Sequence, residues 1–253
     1  LNIVFGIDTT TAAAISGILG ILLFASPKMG GVLDNTAKVL GTVMLVLIGY
    51  VAFSTNPPIA EAATHAIVPT NYPWLATITL IGGTVGGYIT FSGGHRLIDA
   101  GITGREHLKD VRRAAFMGMS VDAIVRILLF LAVLGVVSMG FALDPKDPAG
   151  SAFLLGAGEI GHKLFGIVFF CAALTSVVGA AYTSVSFLKT LFKVVERYEK
   201  LTIMAFIFVS TCILIFIGKP ATLLIVAGSV NGLILPVTLA VMLLATRKTN
   251  IVG

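Results

Sequence analysis

Four glycines lie within six consecutive positions at Gly82-Gly83-Thr84-Val85-Gly86-Gly87, in the middle of 34 residues without a formal charge. Each glycine in a helix costs roughly 0.5–1 kcal/mol relative to alanine, so this segment is a poor helix centre. A membrane helix that is broken at mid-depth exposes backbone carbonyls to a transported substrate. We therefore expect a substrate-binding segment here. Close helix packing is the alternative, because glycines four residues apart also let membrane helices approach each other.

A second polar interruption lies in the last apolar segment, at Ala227-Gly228-Ser229-Val230-Asn231-Gly232. Pro236 follows it and lacks an amide donor, which leaves the Gly232 carbonyl without its helical partner. Asn231 is placed near mid-membrane, where polar side chains usually face the interior of a helix bundle. Its amide can either form an interhelical hydrogen bond or supply a ligand oxygen, and the sequence leaves both interpretations open.

Other polar residues of the apolar segments have ordinary structural explanations. Asp122 and Arg126 are four residues apart, so we expect a buried ion pair, with a proton path as the alternative. Hydroxyl side chains between Thr175 and Ser186 often bond to the carbonyl of the preceding helical turn. The sequence contains no nucleophile–base set, no phosphate-binding loop and no metal-hydrolase motif, so we expect a protein that is not an enzyme.

The elements that position these residues are predicted to be membrane helices. The chain has 253 residues, of which 57% are apolar and only 11% charged, whereas soluble domains carry about 25% charge. Apolar segments of about 20 residues can cross the lipid bilayer as helices, and none of these segments alternates as a barrel strand would. Seven spans are predicted, at 9–27, 39–60, 74–95, 114–142, 164–188, 201–218 and 220–246.

The cationic residues are distributed unevenly between the two faces that these spans define. Thirteen of the 17 Lys and Arg residues fall on one face, three on the other, and Arg126 within a span. The positive-inside rule makes the first face cytoplasmic, which places the loop Gly101–Arg113 there. We expect a multi-pass protein of the inner (plasma) membrane, with no resident cofactor and no nucleic-acid partner. Cys171 and Cys212 are expected to be unpaired core residues.

Three stretches, in chain order, resemble the NRAMP family of divalent-metal transporters (natural resistance-associated macrophage proteins). Leu1–Ile7 resembles the start of that family's fourth span, Gly82–Tyr88 its sixth-span motif, usually written G-A-T-V-M-P-H, and Leu233–Gly253 its tenth span and the loop beyond. The resemblance covers the whole chain as spans four to ten. It implies an all-α integral membrane protein, a LeuT-type bundle of two inverted five-helix repeats. Residues 1–60 would end the first repeat and residues 70–253 would form the second.

The resemblance also implies an ion site in the glycine-rich segment. The backbone carbonyl that binds metal in the family falls on Gly83, and Thr84 follows it. The family's methionine ligand falls on Gly86, and the proline and histidine of its motif fall on Gly87 and Tyr88. The acidic ligands come from a first-span Asp-Pro-Gly-Asn motif in the family. No Asp-Pro-Gly occurs in this sequence, so we expect those ligands in upstream spans outside it.

The departures from the family motif change the expected ion. The tenth-span glutamine of the family falls on Ile234, which leaves Asn231, one turn earlier, as the candidate amide ligand. A glycine at position 86 removes a soft thioether and leaves an oxygen-rich site that suits a hard, partly hydrated ion such as Mg²⁺ or Mn²⁺. Tyr88 replaces a histidine, and a phenol with a pKa of about 10 does not readily couple protons at physiological pH.

These observations favour a secondary transporter that moves Mg²⁺ or Mn²⁺ by alternating access. The sequence resembles the magnesium- and manganese-transporter-like bacterial branch of the family. One alternative is a symporter for organic solutes such as amino acids, with a carboxylate bound at the amide end of the broken helix. Another is a non-transporting membrane subunit in which the glycines only pack helices. The sequence makes no prediction of oligomeric state.

Overall fold

The computed structural model describes residues 1–25, 27–85, 97–98, 100–145, 147–218 and 220–248. Within these ranges, α-helices and one short 3-10 helix make up the regular secondary structure, so the all-α prediction is confirmed. The helices are α1 (Asn2–Phe5), α2 (Thr9–Ala25), α3 (Pro27–Ser54), α4 (Ile59–Ile67), α5 (Trp74–Val85), α6 (Leu108–Ser138), α7 (Pro148–Leu191), α8 (Lys193–Arg197), α9 (Glu199–Ile217) and α10 (Pro220–Thr246). A 3-10 turn at Arg105–His107 leads directly into α6.

Four helices of the described chain are long and apolar enough to cross a membrane. They are Arg105–Ser138, Pro148–Leu191, Glu199–Ile217 and Ala221–Thr246. The pair Lys38–Ser54 and Ile59–Ile67, bent by 101°, makes a fifth span if it is counted as one. Membrane helices are therefore confirmed, and within the described residues four or five of the seven predicted spans are found at full length. The predicted span 9–27 corresponds to α2, which is apolar but shorter, and the described part of the predicted span 74–95 is the apolar helix α5.

Proline and glycine determine where two of the helices bend. The chain turns away from α3 at Asn56, whose φ angle is 45°. Among the described residues other than glycine, Asn56 is the one with a positive φ. Pro57 and Pro58 follow it and lead into α4. Helix α7 is interrupted at Gly158, where φ is 66° and ψ is −170°. Glycine tolerates this left-handed region because it has no Cβ atom. The predicted span 164–188 is therefore the second part of a longer, kinked helix.

The chain divides into two compact units, residues 1–70 with 104–178 and residues 71–103 with 179–253. The core of the first unit is formed by α3, α6 and α7, with the buried residues Leu47, Ile48, Val51, Ala52, Ala132, Val136, Phe153 and Phe165. Glycine brings these helices close, because a Cβ atom on Gly135 of α6 would overlap the buried side chain of Thr55. The predicted division of the chain into two repeats follows different boundaries and stays a prediction.

The second unit contains the α5–α10 pair together with α9 and the end of α7. Helix α9 buries Ile203 and Ile207, which are one helical turn apart. The Lys189 ammonium of α7 forms an ion pair with the Glu199 carboxylate at the start of α9, at 3.1 Å. This unit holds both segments that the sequence predicts to bind substrate, so its helix packing determines the geometry of the candidate site.

Candidate functional site

Helices α5 and α10 cross in direct backbone contact at Gly82. A Cβ atom built on Gly82 would overlap the Gly228 carbonyl oxygen and the Gly232 amide nitrogen, and would lie 2.7 Å from the Gly232 Cα atom. All three atoms belong to the backbone of α10, so they cannot turn aside as a flexible side chain could. The interpretation that these glycines serve close helix packing is therefore confirmed for Gly82. Its partners are glycines of α10.

The glycines of α10 meet α5 in the same way. A Cβ atom on Gly232 would overlap the Ile78 carbonyl oxygen and lie 2.8 Å from the Ile78 Cγ2 atom. A Cβ atom on Gly228 would lie 2.8 Å from the Thr79 carbonyl oxygen. Gly228 and Gly232 have the four-residue spacing that allows two membrane helices to approach closely. Three glycines thus form the contact between the two predicted substrate-binding segments.

A hydroxyl pair fixes the register of this crossing. The Thr79 Oγ1 atom of α5 lies 2.6 Å from the Ser229 Oγ atom of α10. Each oxygen also lies within hydrogen-bond distance of a carbonyl of its own helix, at 2.7 Å from Leu75 and 2.8 Å from Ile225. Because a hydroxyl has one proton, one of the two donates to its own helix and the other donates across the interface. Thr79 was not among the residues predicted from the sequence to matter for the site, since an isolated threonine in an apolar segment carries no distinguishing signal.

Gly83 and Thr84 follow the contact point within α5. No atom of the described residues lies within 4 Å of a Cβ atom built on Gly83. The Thr84 hydroxyl donates to the Leu80 carbonyl at 2.6 Å. Both residues are helical, and the described part of α5 ends at Val85. The described helix is therefore unbroken through Val85, and the predicted break at Gly86 and Gly87 falls outside the described residues.

The remaining residues of the predicted motif, Gly86, Gly87 and Tyr88, lie outside the described residues. The Gly83 carbonyl lies in the last turn of the described helix. In a continuous helix, this carbonyl would accept a hydrogen bond from the amide of Gly87, four residues later. Its availability to an ion depends on that amide, and the role of the Gly83 carbonyl stays a prediction.

Asn231 lies on α10 between the two contact glycines Gly228 and Gly232, and it is partly buried. Among the described residues, its side-chain amide forms no hydrogen bond. An interhelical hydrogen bond, one of the two interpretations of this residue, is therefore not found within that part of the chain. Pro236 is confirmed inside α10, so the Gly232 carbonyl lacks the amide donor that the next turn would supply.

The structure also decides the roles of other polar residues. The Arg126 Nε atom lies 2.6 Å from the Asp122 carboxylate, so the predicted ion pair forms. The predicted burial is wrong within this chain, because the two side chains are 43% and 52% exposed. In α7, the Thr183 and Ser184 hydroxyls donate to carbonyls four residues earlier, at 2.7 and 2.8 Å, as predicted. The cysteines are unpaired and partly buried.

No group of three or more His, Cys, Asp or Glu residues in the described ranges is arranged to hold a metal ion. The described residues of α5 and α10 carry no charged side chain, so the oxygen atoms that they offer are neutral. Neutral carbonyl and amide oxygens can coordinate hard cations, but carboxylates usually supply most of the compensating charge. The two helices can therefore form one side of an ion site.

Comparisons with known proteins agree that this is a membrane protein. The sequence over residues 1–253 matches the family described as natural resistance-associated macrophage protein-like (Nramp). It is 49% identical over 253 residues to an uncharacterized membrane protein of Haemophilus influenzae, covering all of this chain and 64% of that protein. It is 48% identical to the uncharacterized membrane protein YcsG of Bacillus subtilis, covering 63% of it. The chain thus spans less than two thirds of these relatives, and no solved structure matches it significantly.

Proposed function

The chain belongs to the Nramp family, and from this premise we propose that the complete protein moves Mg²⁺ or Mn²⁺ across the membrane by alternating access. The observation that carries the proposal is the contact of α5 with α10. Gly83 follows the contact residue Gly82 by one position, and Asn231 precedes the contact residue Gly232 by one position. The two candidate ligands are therefore each one residue from the same helix crossing.

In this proposal, the ion binds between the end of α5 and the middle of α10. The Gly83 carbonyl and the Asn231 side-chain oxygen are its ligands from this chain. The family resemblance adds Thr84, Gly86, Gly87 and Tyr88 to the candidate site. No described atom lies within 4 Å of a Cβ atom built on Gly83, and the proposed ion keeps part of its hydration shell, since Mg²⁺ in particular gives up its water reluctantly. The acidic ligands come from the part of the complete protein that lies outside this chain.

Ion choice in this proposal follows from the chemistry of position 86. A glycine there offers no sulfur ligand, so the site has no chemical preference for soft ions such as Cd²⁺. It should discriminate poorly between Mg²⁺, Mn²⁺ and Ca²⁺, which are all bound by oxygen. The tyrosine at position 88 replaces the family's histidine and favours transport with weak or no proton coupling, because phenols ordinarily have a pKa of about 10.

Uptake by the complete protein in liposomes tests this function. A fluorescent indicator inside the liposomes should report entry of Mg²⁺ and Mn²⁺ that requires the protein and does not respond to added amino acids. An Asn231→Ala variant removes one neutral ligand and should lower the apparent affinity for the ion roughly tenfold or more. Thr246→Val, at the end of the same helix, is the matched control and should transport normally. Cation entry equal to that of protein-free liposomes, or entry driven by amino acids, would contradict the proposal.

A further inference from the structure

The cytoplasmic end of α6, as the charge distribution places it, carries four cations on one side of the helix. Arg105 lies in the 3-10 turn that leads into α6, and Lys109, Arg112 and Arg113 lie in its first two turns. All four residues are exposed. In the part of the chain that the structure describes, none of them takes part in an ion pair. The partial positive charge of the helix N-terminus adds to their charge and does not offset it.

The same side of α6 continues into the membrane as an exposed apolar surface. Positions 105, 109, 112, 116, 119, 123, 127 and 130 follow one another at intervals of three or four residues and therefore share one helix face. Phe116 and Met119 on this face are 69% and 64% exposed, and Ile127 and Phe130 are exposed as well. The core residues Ala132 and Val136 lie on the opposite face. The cationic face thus points away from the helices that pack against α6.

Helix geometry gives the depth of each group along this face. The apolar sequence begins directly after Arg113. With a rise of about 1.5 Å per residue, Phe116 lies about 6 Å and Met119 about 10 Å beyond Arg112. One leaflet of a bilayer has about 15 Å of hydrocarbon, half of the roughly 30 Å core. The cations therefore lie at the level of lipid headgroups, and the two apolar side chains lie at the level of the acyl chains.

We propose that this face, the α6 lipid face (Arg105, Lys109, Arg112, Phe116 and Met119), binds an anionic phospholipid of the cation-rich side of the membrane. The lipid phosphate pairs with the two guanidinium groups and the ammonium group, and an acyl chain lies along Phe116 and Met119. Arginine binds phosphate oxygens with two parallel hydrogen bonds, and clusters of cations beside a membrane helix attract anionic lipids.

Two carboxylates lie in the same stretch and limit its charge. Glu106 and Asp110 occupy positions next to the α6 lipid face, so residues 105–113 carry four cations and two carboxylates, a net charge of +2. Neither carboxylate forms an ion pair within the described chain. The cations thus keep their charge available for a phosphate. The proposal does not depend on which ion the protein transports.

A tryptophan reporter in the complete protein tests this inference. Phe116→Trp is placed in liposomes that contain brominated phosphatidylglycerol or brominated phosphatidylcholine at equal mole fractions, and quenching is compared with that of the protein without this substitution. We expect stronger quenching of the reporter by phosphatidylglycerol. Arg105→Gln, Lys109→Gln and Arg112→Gln together should reduce this preference at least fivefold, because each cation near an anionic surface contributes about fivefold, and high salt should weaken it as well.

The matched control removes three cations from another segment of the same membrane face, with Lys193→Gln, Arg197→Gln and Lys200→Gln. This variant should keep the preference for phosphatidylglycerol. Asp110→Asn, which removes a neighbouring carboxylate, should increase it. Equal quenching by the two lipids, an equal loss in both triple variants, or no gain with Asp110→Asn would overturn the proposal. The absence of quenching by either lipid would overturn it too, because protein and not lipid would then cover Phe116.

Discussion

Substituting Gly82 by alanine places a methyl group in the α5–α10 crossing, where the structure leaves no space. The new Cβ atom would overlap the Gly228 carbonyl oxygen and the Gly232 amide, so the two helices have to separate. Adding a methyl group to a tightly packed contact typically costs about 1–3 kcal/mol. The higher helix propensity of alanine offsets roughly 0.5–1 kcal/mol of this loss in stability. Because the overlapping atoms belong to the backbone and cannot turn aside, the upper end of that cost applies, and we expect a net destabilisation of about 2–2.5 kcal/mol.

The neighbouring Gly83 offers a matched control, because no described atom lies within 4 Å of its built Cβ atom. Gly83→Ala should be neutral or slightly stabilising, since it gains helix propensity without a clash. Thermal unfolding of the purified complete protein in detergent measures both variants. With about 2–4 °C per kcal/mol, Gly82→Ala should lower Tm by a few degrees and Gly83→Ala should not. If Gly82→Ala is as stable as the wild type, or Gly83→Ala is the less stable of the two, the described crossing is wrong.

Three further predictions follow from the packing and the topology. A double-mutant cycle of Thr79→Val and Ser229→Ala, measured by unfolding, should give a coupling of about 0.6 kcal/mol and at most about 1.7 kcal/mol, and a coupling of zero would show that the hydroxyls do not interact. Gly135→Ala should lower Tm because its Cβ atom would overlap Thr55, whereas Gly118→Ala, in open space on the same helix, should not. A cysteine at Thr103 should resist labelling from outside intact cells, since its loop is predicted to be cytoplasmic, and ready labelling would reverse the topology.

The extent of the helices could be predicted from the sequence only in part. The long uncharged segments of the sequence correctly predicted the membrane helices α6, α9 and α10, because charged residues are unfavourable in the hydrocarbon core of a bilayer. Hydropathy did not show that α7 begins at Pro148, well before the predicted span, because that helix continues through polar residues such as Glu159. Asn56-Pro57-Pro58, which lies within the predicted span 39–60, separates α3 from α4.

Helix partners were harder to predict than helix positions. The four-residue spacing of Asp122 and Arg126 showed that they share a helix face, and the ion pair forms. That spacing carries no information on whether another helix covers this face. In the same way, glycine spacing suggested that Gly82 packs against a helix, while the contact with Gly228 and Gly232 is separated from it by about 150 residues of sequence. The family resemblance supplied the candidate ligand Gly83, whereas Asn231 became a candidate because it is a polar residue near mid-membrane. Both roles stay predictions.

Ion selectivity of the complete protein and of its Gly86→Met variant tests the central claim most directly. Uptake into liposomes is measured for Mg²⁺, Mn²⁺ and Cd²⁺, with a pH-sensitive dye inside to follow protons. The proposed oxygen-rich site predicts that the wild type transports Mg²⁺ or Mn²⁺ in preference to Cd²⁺, with little acidification. The thioether of Gly86→Met should shift the preference toward Cd²⁺, since sulfur favours softer ions. A wild type that prefers Cd²⁺, or strong acidification driven by metal uptake, would contradict the account.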